Sequence, residues 1–149
     1  MSSEIELPDP AAIRDLMPFA VLIGVELLDA RPDLVRGRLA FSEERCTAGG
    51  VMHGGALMAL ADTCGGVCAA LNLPEGATAT ATIESKTNFL RALRDGVVNA
   101  TTRPLHVGRT TIVLETELTR EDGALVTKTT QTQAFHRPPQ DGYGMPPAE

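Results

Sequence analysis

Residues 54–73 read Gly-Gly-Ala-Leu-Met-Ala-Leu-Ala-Asp-Thr-Cys-Gly-Gly-Val-Cys-Ala-Ala-Leu-Asn-Leu, and this stretch decides the fold. It is too long for a strand and apolar on nearly every side, so it predicts a helix buried in the core. At about twenty residues it has the length of a membrane span. Asp62, Thr63, Asn72 and four glycines, without a basic flank, argue against a span, and we expect no membrane partner. Pro74 ends the helix.

The segments around this helix predict strands and therefore an α+β fold. Residues 34–41 place Val35, Leu39 and Phe41 on one face, the period of a half-buried strand, which should pair with residues 21–30. Four later segments are rich in Thr, Val and Ile, which suit a pleated sheet: 78–91, 97–107, 109–119 and 125–136. Their short connections, including an Asp122-Gly123 turn, predict an antiparallel sheet of five or six strands around one long helix.

Both ends differ in pattern from the central region, residues 19–136. In the N-terminal segment 1–18, Asp9 and Pro10 are a helix cap and a first-turn proline for a short helix that Pro18 ends. Residues 137–149 are rich in proline and lack periodicity, which predicts a disordered tail. The opening residues lack the basic and apolar regions of a secretory signal, so we expect a cytoplasmic protein.

Composition limits the partners. The chain has 149 residues, a formal net charge of -6 and 43% hydrophobic residues, which predict one globular domain without a general attraction to nucleic acid. An anionic ligand would need a few local cations. Cys46, Cys64 and Cys68, in a chain without an export signal, favour reduced thiols. Cys64 and Cys68 with His53 lack a fourth zinc ligand, so we assign no metal.

The residues that indicate chemistry lie at the start of the long helix. Residues 49–55 read Gly-Gly-Val-Met-His-Gly-Gly. Glycines at a helix entry expose N–H groups at the positive end of the helix dipole, which suits a developing oxyanion; a flexible loop is the alternative. Asp62 stands among apolar residues, so it either opens onto water or lies in a pocket as a base or nucleophile. For His53 we favour a ring that fixes the loop by a hydrogen bond to backbone.

His53-Gly54-Gly55, with Asp62 nine residues after the histidine, resembles the hotdog-fold thioesterases of the phenylacetate-degradation (PaaI-like) branch. The resemblance extends to residues 83–91 and 107–111. It implies a curved sheet wrapped around the helix and a dimer joined edge to edge, often paired into a tetramer, with active sites between subunits. Helix geometry supports the last point, because Gly54 and Asp62 lie about 12 Å apart along one axis and cannot both touch one thioester carbonyl. If both act, Asp62 faces Gly54 of a two-fold related chain.

The resemblance implies acyl-CoA hydrolysis by a catalytic set of His53, Gly54, Gly55 and Asp62. The Gly54 amide would polarise the thioester carbonyl, while Asp62 attacks it or activates a water and the thiolate of coenzyme A leaves. No cofactor is implied, since coenzyme A is part of the substrate. The positions that would bind substrate or coenzyme A are Thr47, Thr80, Asn88, Phe89, Arg91, Gly108, Arg109 and Thr110.

Two positions depart from the family pattern. Thr47 stands where many relatives carry Asn or Gln. Gly66 stands where some relatives place a hydroxyl, which Thr80 or Thr82 could replace, and Thr80 is the better family match.

The acyl group and two other functions stay open. Phe19, Met58 and Phe89 would line the acyl pocket, for either a small aromatic or a short to medium aliphatic group. A non-catalytic acyl-CoA-binding protein would use the same pocket, but Asp62 argues against it. An enoyl-CoA hydratase or dehydratase would need His53 to transfer protons with a carboxylate, and the tight His-Gly-Gly entry favours hydrolysis.

Overall fold

The computed structural model describes residues 8–138. Two short helices, α1 (Pro10–Asp15) and α2 (Pro18–Ile23), precede strands β1 (Glu26–Arg31) and β2 (Leu34–Ala40). A 3₁₀ turn (Glu43–Arg45) leads into a small hairpin, β3 (Cys46–Thr47) and β4 (Val51–Met52), and then into the long helix α3 (Gly54–Leu71). Four long strands follow: β5 (Ala79–Phe89), β6 (Val97–Val107), β7 (Thr111–Arg120) and β8 (Leu125–His136).

Six strands form one antiparallel sheet in the order β1-β2-β6-β7-β8-β5. Strand β5 follows the long helix in sequence but lies beside β8, so β1 and β5 are the two edges of the sheet. One face of the sheet packs on α3. The predicted α+β architecture, an antiparallel sheet around one long helix, is confirmed.

Helix α3 lies in the core. By length and composition alone it is the one helix in residues 8–138 that could cross a membrane. Eight of its 18 residues are nevertheless buried against the rest of the chain: Leu57, Leu60, Ala61, Cys64, Gly65, Val67, Cys68 and Ala69. The apolar run that decides the fold is therefore the inner surface of a packed helix.

The strand predictions agree closely with the structure after α3. The bounds of β6 and β8 are those predicted, and the ends of β5 and β7 differ by at most two residues. The Asp-Gly turn between β7 and β8 is present: Gly123 has φ 85° and the Ala124 N–H donates to Asp122 Oδ1 at 2.9 Å.

The N-terminal region holds one confirmed prediction and one wrong one. Asp9 Oδ1 accepts a hydrogen bond from the Ala11 N–H at 3.1 Å and caps α1 as predicted. The strand expected over residues 21–30 begins only at Glu26, because Pro18 opens a second helix instead of merely ending the first. Gly24, with φ 82°, terminates that second helix. The predicted disordered tail lies outside the described residues except for 137 and 138.

Candidate active site

The entry to α3 is held by His53. The His53 Nδ1 accepts a hydrogen bond from the Gly55 N–H at 2.8 Å, so the ring caps the helix. This is the backbone contact that the sequence predicts for His53. It also engages the Gly55 amide, which leaves the Gly54 amide as the donor at the helix start. In the range 8–138 the Gly54 N–H has no hydrogen-bond partner.

Two arginines fix the loop that leads into this entry. Arg45 donates from Nε to the Ile23 carbonyl at 2.6 Å, and its own carbonyl accepts from the His53 N–H at 2.7 Å. Arg94 Nη1 donates to the Gly49 carbonyl at 2.9 Å, beside backbone with positive φ. The turn between β3 and β4 is therefore bonded to the rest of the chain at Gly49 and at His53.

A cavity of about 410 Å³ opens at Gly54. We call it the Gly54 cavity. Thr47, Phe89 and Arg91 line it, all three predicted as substrate-binding residues. A Cβ on Gly54 would lie 3.1 Å from the ring of Phe89, which explains why the first residue of α3 has no side chain.

Asp62 lies two turns further along α3, with its carboxylate exposed in the single chain. The buried Gln131 of β8 donates from Nε2 to Asp62 Oδ1 at 2.6 Å. The Thr82 hydroxyl of β5 donates to the same oxygen at 3.4 Å. Both contacts end on Oδ1, and no residue of the described chain bonds Oδ2. The carboxylate is thus oriented by one oxygen and free to react through the other.

A second cavity, of about 330 Å³, surrounds this carboxylate. We call it the Asp62 cavity. It is lined by Phe19, Thr80 and Thr82 and, on α3, by Gly66. Thr80 lines the cavity as the resemblance implies, but it is Thr82 whose hydroxyl bonds to Asp62. Of the two candidates for the missing hydroxyl, Thr82 makes the contact.

The Gly54 amide and the Asp62 carboxylate of one chain lie far apart. Phe89, at the end of β5, packs near Gly54, whereas Thr80, near its start, lies at the Asp62 cavity. The two β5 residues are nine apart, about 30 Å along a strand. Each protomer therefore holds an amide donor and a carboxylate at separate places.

The remaining predicted residues lie outside both cavities. Asn88 Oδ1 accepts from Lys86 at 2.7 Å on the exposed edge strand. Gly108, Arg109 and Thr110 form the turn between β6 and β7, and the Thr110 carbonyl accepts from the Phe135 N–H at 2.9 Å. Because Phe135 is paired with Thr80, this turn is at the Asp62 end of the sheet.

Gln131 and Arg94 are absent from the sequence predictions. Gln131 sits in the Thr-Gln alternation of β8, where both faces of the strand are polar, so no hydrophobic period marks it as inward-facing. Arg94 has a weak signal, since it follows Arg91 in the loop before β6.

The two thiols of α3, Cys64 and Cys68, are not candidate nucleophiles. Burial, with a smaller contribution from Cys68, raises the pKa of the Cys64 thiol to about 12. Burial and the nearby charge of Asp33 raise the pKa of Cys68 to about 11. Both thiols stay protonated at neutral pH and are poor nucleophiles.

Comparison with known proteins identifies the family. The profile of the thioesterase superfamily matches residues 49–127, from the glycine turn before α3 into β8. This chain therefore belongs to the thioesterase superfamily, which confirms the predicted hotdog family and the predicted class of enzyme, a thioester hydrolase. The phenylacetate-degradation branch stays a prediction.

Three proteins illustrate the likeness. A Vibrio cholerae protein named putative esterase is 39% identical over 88 residues, 59% of this chain and 58% of that protein, so the match spans less than two thirds of the relative. The crystal structure of a mutant of thioesterase PA1618 from Pseudomonas aeruginosa has a TM-score of 0.82 at 25% identity, over 89% of this chain and 97% of that one. A hypothetical thioesterase from Streptococcus pneumoniae, solved with coenzyme A, has a TM-score of 0.68 at 28% identity over 76% and 86% of the chains.

Proposed function

We propose that this protein is a cytoplasmic acyl-CoA thioesterase in which Asp62 of one protomer works with the Gly54 amide of another. The observation that carries the proposal is the pair of half-sites in each chain: a free amide at a helix start and a carboxylate with one unbonded oxygen. Both are groups that thioester hydrolysis requires, and neither needs a cofactor or metal. The coenzyme A in the Streptococcus pneumoniae structure supports the same substrate class for this chain.

The chemistry follows from the free Oδ2 of Asp62. As a general base, Oδ2 takes a proton from water while the water oxygen bonds to the thioester carbon. As a nucleophile, Oδ2 bonds to that carbon itself, and water later cleaves the resulting anhydride. In either route negative charge develops on the carbonyl oxygen, where the Gly54 N–H donates. The C–S bond then breaks and the thiolate of coenzyme A leaves with the electron pair.

An oxyanion donor of this kind contributes about 3–4 kcal/mol in related acyl transfer, so the amide and the carboxylate together suffice for a thiolate leaving group.

The edge strand β5 supplies the means of joining two half-sites. It pairs with β8 on one side only and carries an exposed Ile83 at its bulge, which is a ready template for a second strand. If two β5 strands pair antiparallel about a two-fold axis at Ser85, with Ile83 left out of the pairing as the bulged residue, Thr80 of each copy lies opposite Phe89 of the other. Each Asp62 cavity then faces a Gly54 cavity. Such a dimer contains two complete sites, and two dimers can associate into a tetramer.

Coenzyme A would enter beside the Gly54 cavity. Arg91 lies at its wall and Arg94 on the adjoining loop, both exposed, in a chain whose net charge is -6. These guanidinium groups are local cations for the phosphates of coenzyme A. Arg109, from the turn near the opposite end of β5, would approach the same site from the second copy.

The geometry of His53 bears on the hydratase alternative. A proton-transferring histidine must reach the substrate, and the His53 Nδ1 is engaged by the Gly55 amide as a helix cap, so a hydratase could use only Nε2 of this ring. Hydrolysis uses the Gly54 amide and Asp62 Oδ2 instead.

The test is hydrolysis of a panel of acyl-CoAs followed by loss of thioester absorbance. We expect turnover by the wild type and a loss of at least a hundredfold in Asp62→Ala, about 2.7 kcal/mol of activation free energy. Asp33→Asn, which alters another exposed carboxylate, is the matched control and should keep the wild-type rate. Turnover of an enoyl-CoA without release of thiol would favour the hydratase, and binding without turnover would favour a binding-only protein.

Mixing two inactive variants tests whether the site is shared. Gly54→Pro removes the amide hydrogen at the first helical position, where the backbone suits proline, although the ring of Phe89 must shift to admit the new side chain. A mixed dimer of Gly54→Pro and Asp62→Ala contains one site in which both groups are intact. Random mixing should therefore restore about a quarter of wild-type activity, whereas a site built within one chain would give none.

A further inference from the structure

Two adjacent glycines in α3 differ in what surrounds them. A Cβ on Gly65 would collide with Oε1 of Gln131, so packing of the chain explains that glycine. A Cβ on Gly66 would meet only Gln133 Nε2, at 3.8 Å, an ordinary contact. A glycine inside a helix is less stable than alanine there, and nothing within the protomer requires it at position 66.

Gly66 lies where two cavities meet. It lines the Asp62 cavity and also a neighbouring cavity of about 350 Å³, and Met17 lines both. We call the neighbouring cavity the apolar groove. Ile13 and Leu16 of the N-terminal segment form one of its walls, and Val67, Ala70 and Leu71 of α3 form the other. Every side chain that lines the apolar groove is apolar.

We propose that the apolar groove binds the acyl chain of the substrate, and that the substrates are unbranched aliphatic acyl-CoAs of medium length. The inference rests on the proposed function, because it places the thioester carbonyl at Asp62 and the chain beyond Gly66. A side chain at position 66 would stand in the path between the two cavities, which accounts for the glycine.

The dimensions of α3 set the chain length. Asp62 and Leu71 are nine residues apart, about 13.5 Å along the helix. An extended chain advances about 1.2 Å per bond, so about eleven bonds, a chain of about twelve carbons, reach from the carboxylate to the end of the groove.

The lining also selects against polar aromatic groups. A hydroxyl group in the groove would lose its hydrogen bonds to water and find no partner among the lining side chains. This lowers the affinity by about fivefold or more. A methylene in the same place strengthens binding about fourfold, equivalent to about 0.8 kcal/mol. Leu16, 80% exposed in the free chain, would be covered by the bound acyl group.

The experiment measures kcat/KM for saturated acyl-CoAs from acetyl to myristoyl, with phenylacetyl-CoA and 4-hydroxybenzoyl-CoA beside them. For the wild type we expect kcat/KM to rise about fourfold per methylene up to about twelve carbons and then level off. In Gly66→Val the ratio of kcat/KM with decanoyl-CoA to kcat/KM with acetyl-CoA should fall by about twentyfold or more.

Two further variants keep the test decisive. Ala70→Leu adds bulk at the exposed far end of the groove and should shorten the preferred chain by a few carbons, whether or not Gly66→Val folds. Ala59→Val introduces a branched residue on the same helix away from both cavities and should affect all chain lengths alike. Calorimetry of decanoyl-CoA and acetyl-CoA with Asp62→Ala measures the contribution of the groove to binding without turnover.

A flat dependence on chain length, a preference for the aromatic thioesters, or an equal loss at all lengths in Gly66→Val and Ala70→Leu would overturn the inference. If the wild type hydrolyses no thioester, the proposed function fails. Calorimetry then still decides the groove, since equal affinity for decanoyl-CoA and acetyl-CoA would exclude it.

Discussion

Replacing Gln131 by methionine isolates the hydrogen bond that orients the catalytic carboxylate. Gln131 is 1% exposed and donates from Nε2 to Asp62 Oδ1 at 2.6 Å. Methionine has a similar length and flexibility but no N–H, so Gln131→Met should keep the packing of β8 against α3 and release Asp62 Oδ1. The Thr82 hydroxyl, at 3.4 Å, is the weaker contact that remains.

The size of the effect follows from the kind of bond that is lost. A hydrogen bond to a charged group contributes about 1.5–3 kcal/mol, so kcat should fall by about 10- to 150-fold if the transition state needs the oriented carboxylate. Gln131 lies beneath Asp62 and does not line either cavity, so KM should change less than about twofold. The free energy of unfolding should change by no more than about 1 kcal/mol, because the substitution also removes the Gln131 Oε1, which is buried and unbonded within residues 8–138.

The assay is steady-state hydrolysis of one acyl-CoA by four proteins: wild type, Gln131→Met, Asp62→Ala and the double variant. If Gln131 acts through Asp62, Gln131→Met has no further effect on the residual rate of Asp62→Ala. Gln131→Glu adds a second readout, because a carboxyl group beside Asp62 can donate a hydrogen bond only when it is protonated. The activity of this variant should therefore recover as the pH falls. An unchanged kcat in folded Gln131→Met, or the same loss in both backgrounds, would refute the reasoning.

Three stability predictions use buried groups away from the chemistry. Thr127→Val should raise the free energy of unfolding by about 1 kcal/mol, because the buried Thr127 hydroxyl has no partner in residues 8–138; a fall in the urea midpoint would show that the hydroxyl is bonded. Gly65→Ala should destabilise the fold by about 1–3 kcal/mol through collision with Gln131, whereas Gly66→Ala should stabilise it by about 0.5–1 kcal/mol, and equal shifts in thermal melting would contradict the difference in packing. Burial raises the pKa of the Cys64 thiol from 9.0 to about 12, so the unfolded chain releases this proton first and the stability due to the neutral thiol, complete below pH 9.0, is lost as the pH approaches 12. Between pH 9 and 10 the loss is about 1 kcal/mol, and Cys64→Ala should flatten the dependence of the urea midpoint on pH over that range.

The fold was predictable where a single hydrophobic period dominates. Residues 54–71 are apolar around the whole helix, and β2 alternates between buried Val35 and Leu39 and exposed arginines. Helix α2 escaped prediction because Val21 and Ile23 are β-branched and resemble a strand. Helix α2 starts at Pro18, because a proline cannot continue α1 but is well suited to the first turn of a new helix.

The site was predictable where its residues are out of place in their own segment. Asp62 is conspicuous as a carboxylate in an apolar helix, and His53 stands between a glycine turn and a helix start. Gln131 has no such contrast, because Thr, Lys and Gln occupy both faces of β8. Gln131 faces Asp62 only because α3 crosses over β8, and this tertiary packing cannot be read from the sequence pattern of either segment.

Strand β5 links assembly to catalysis in the proposed enzyme. The strand carries Phe89 against Gly54 at one end and Thr82 against Asp62 toward the other. A second copy that pairs antiparallel with β5 therefore brings its Asp62 end to the Gly54 end of the first copy. A register slip of one residue in the pairing of two β5 strands would turn inward-facing side chains outward and separate donor from carboxylate. The bulge between Thr82 and Glu84 is a fixed irregularity that can set this register, since a bulge interrupts regular pairing at one place only. Loss of that pairing would therefore abolish turnover while each protomer keeps its fold.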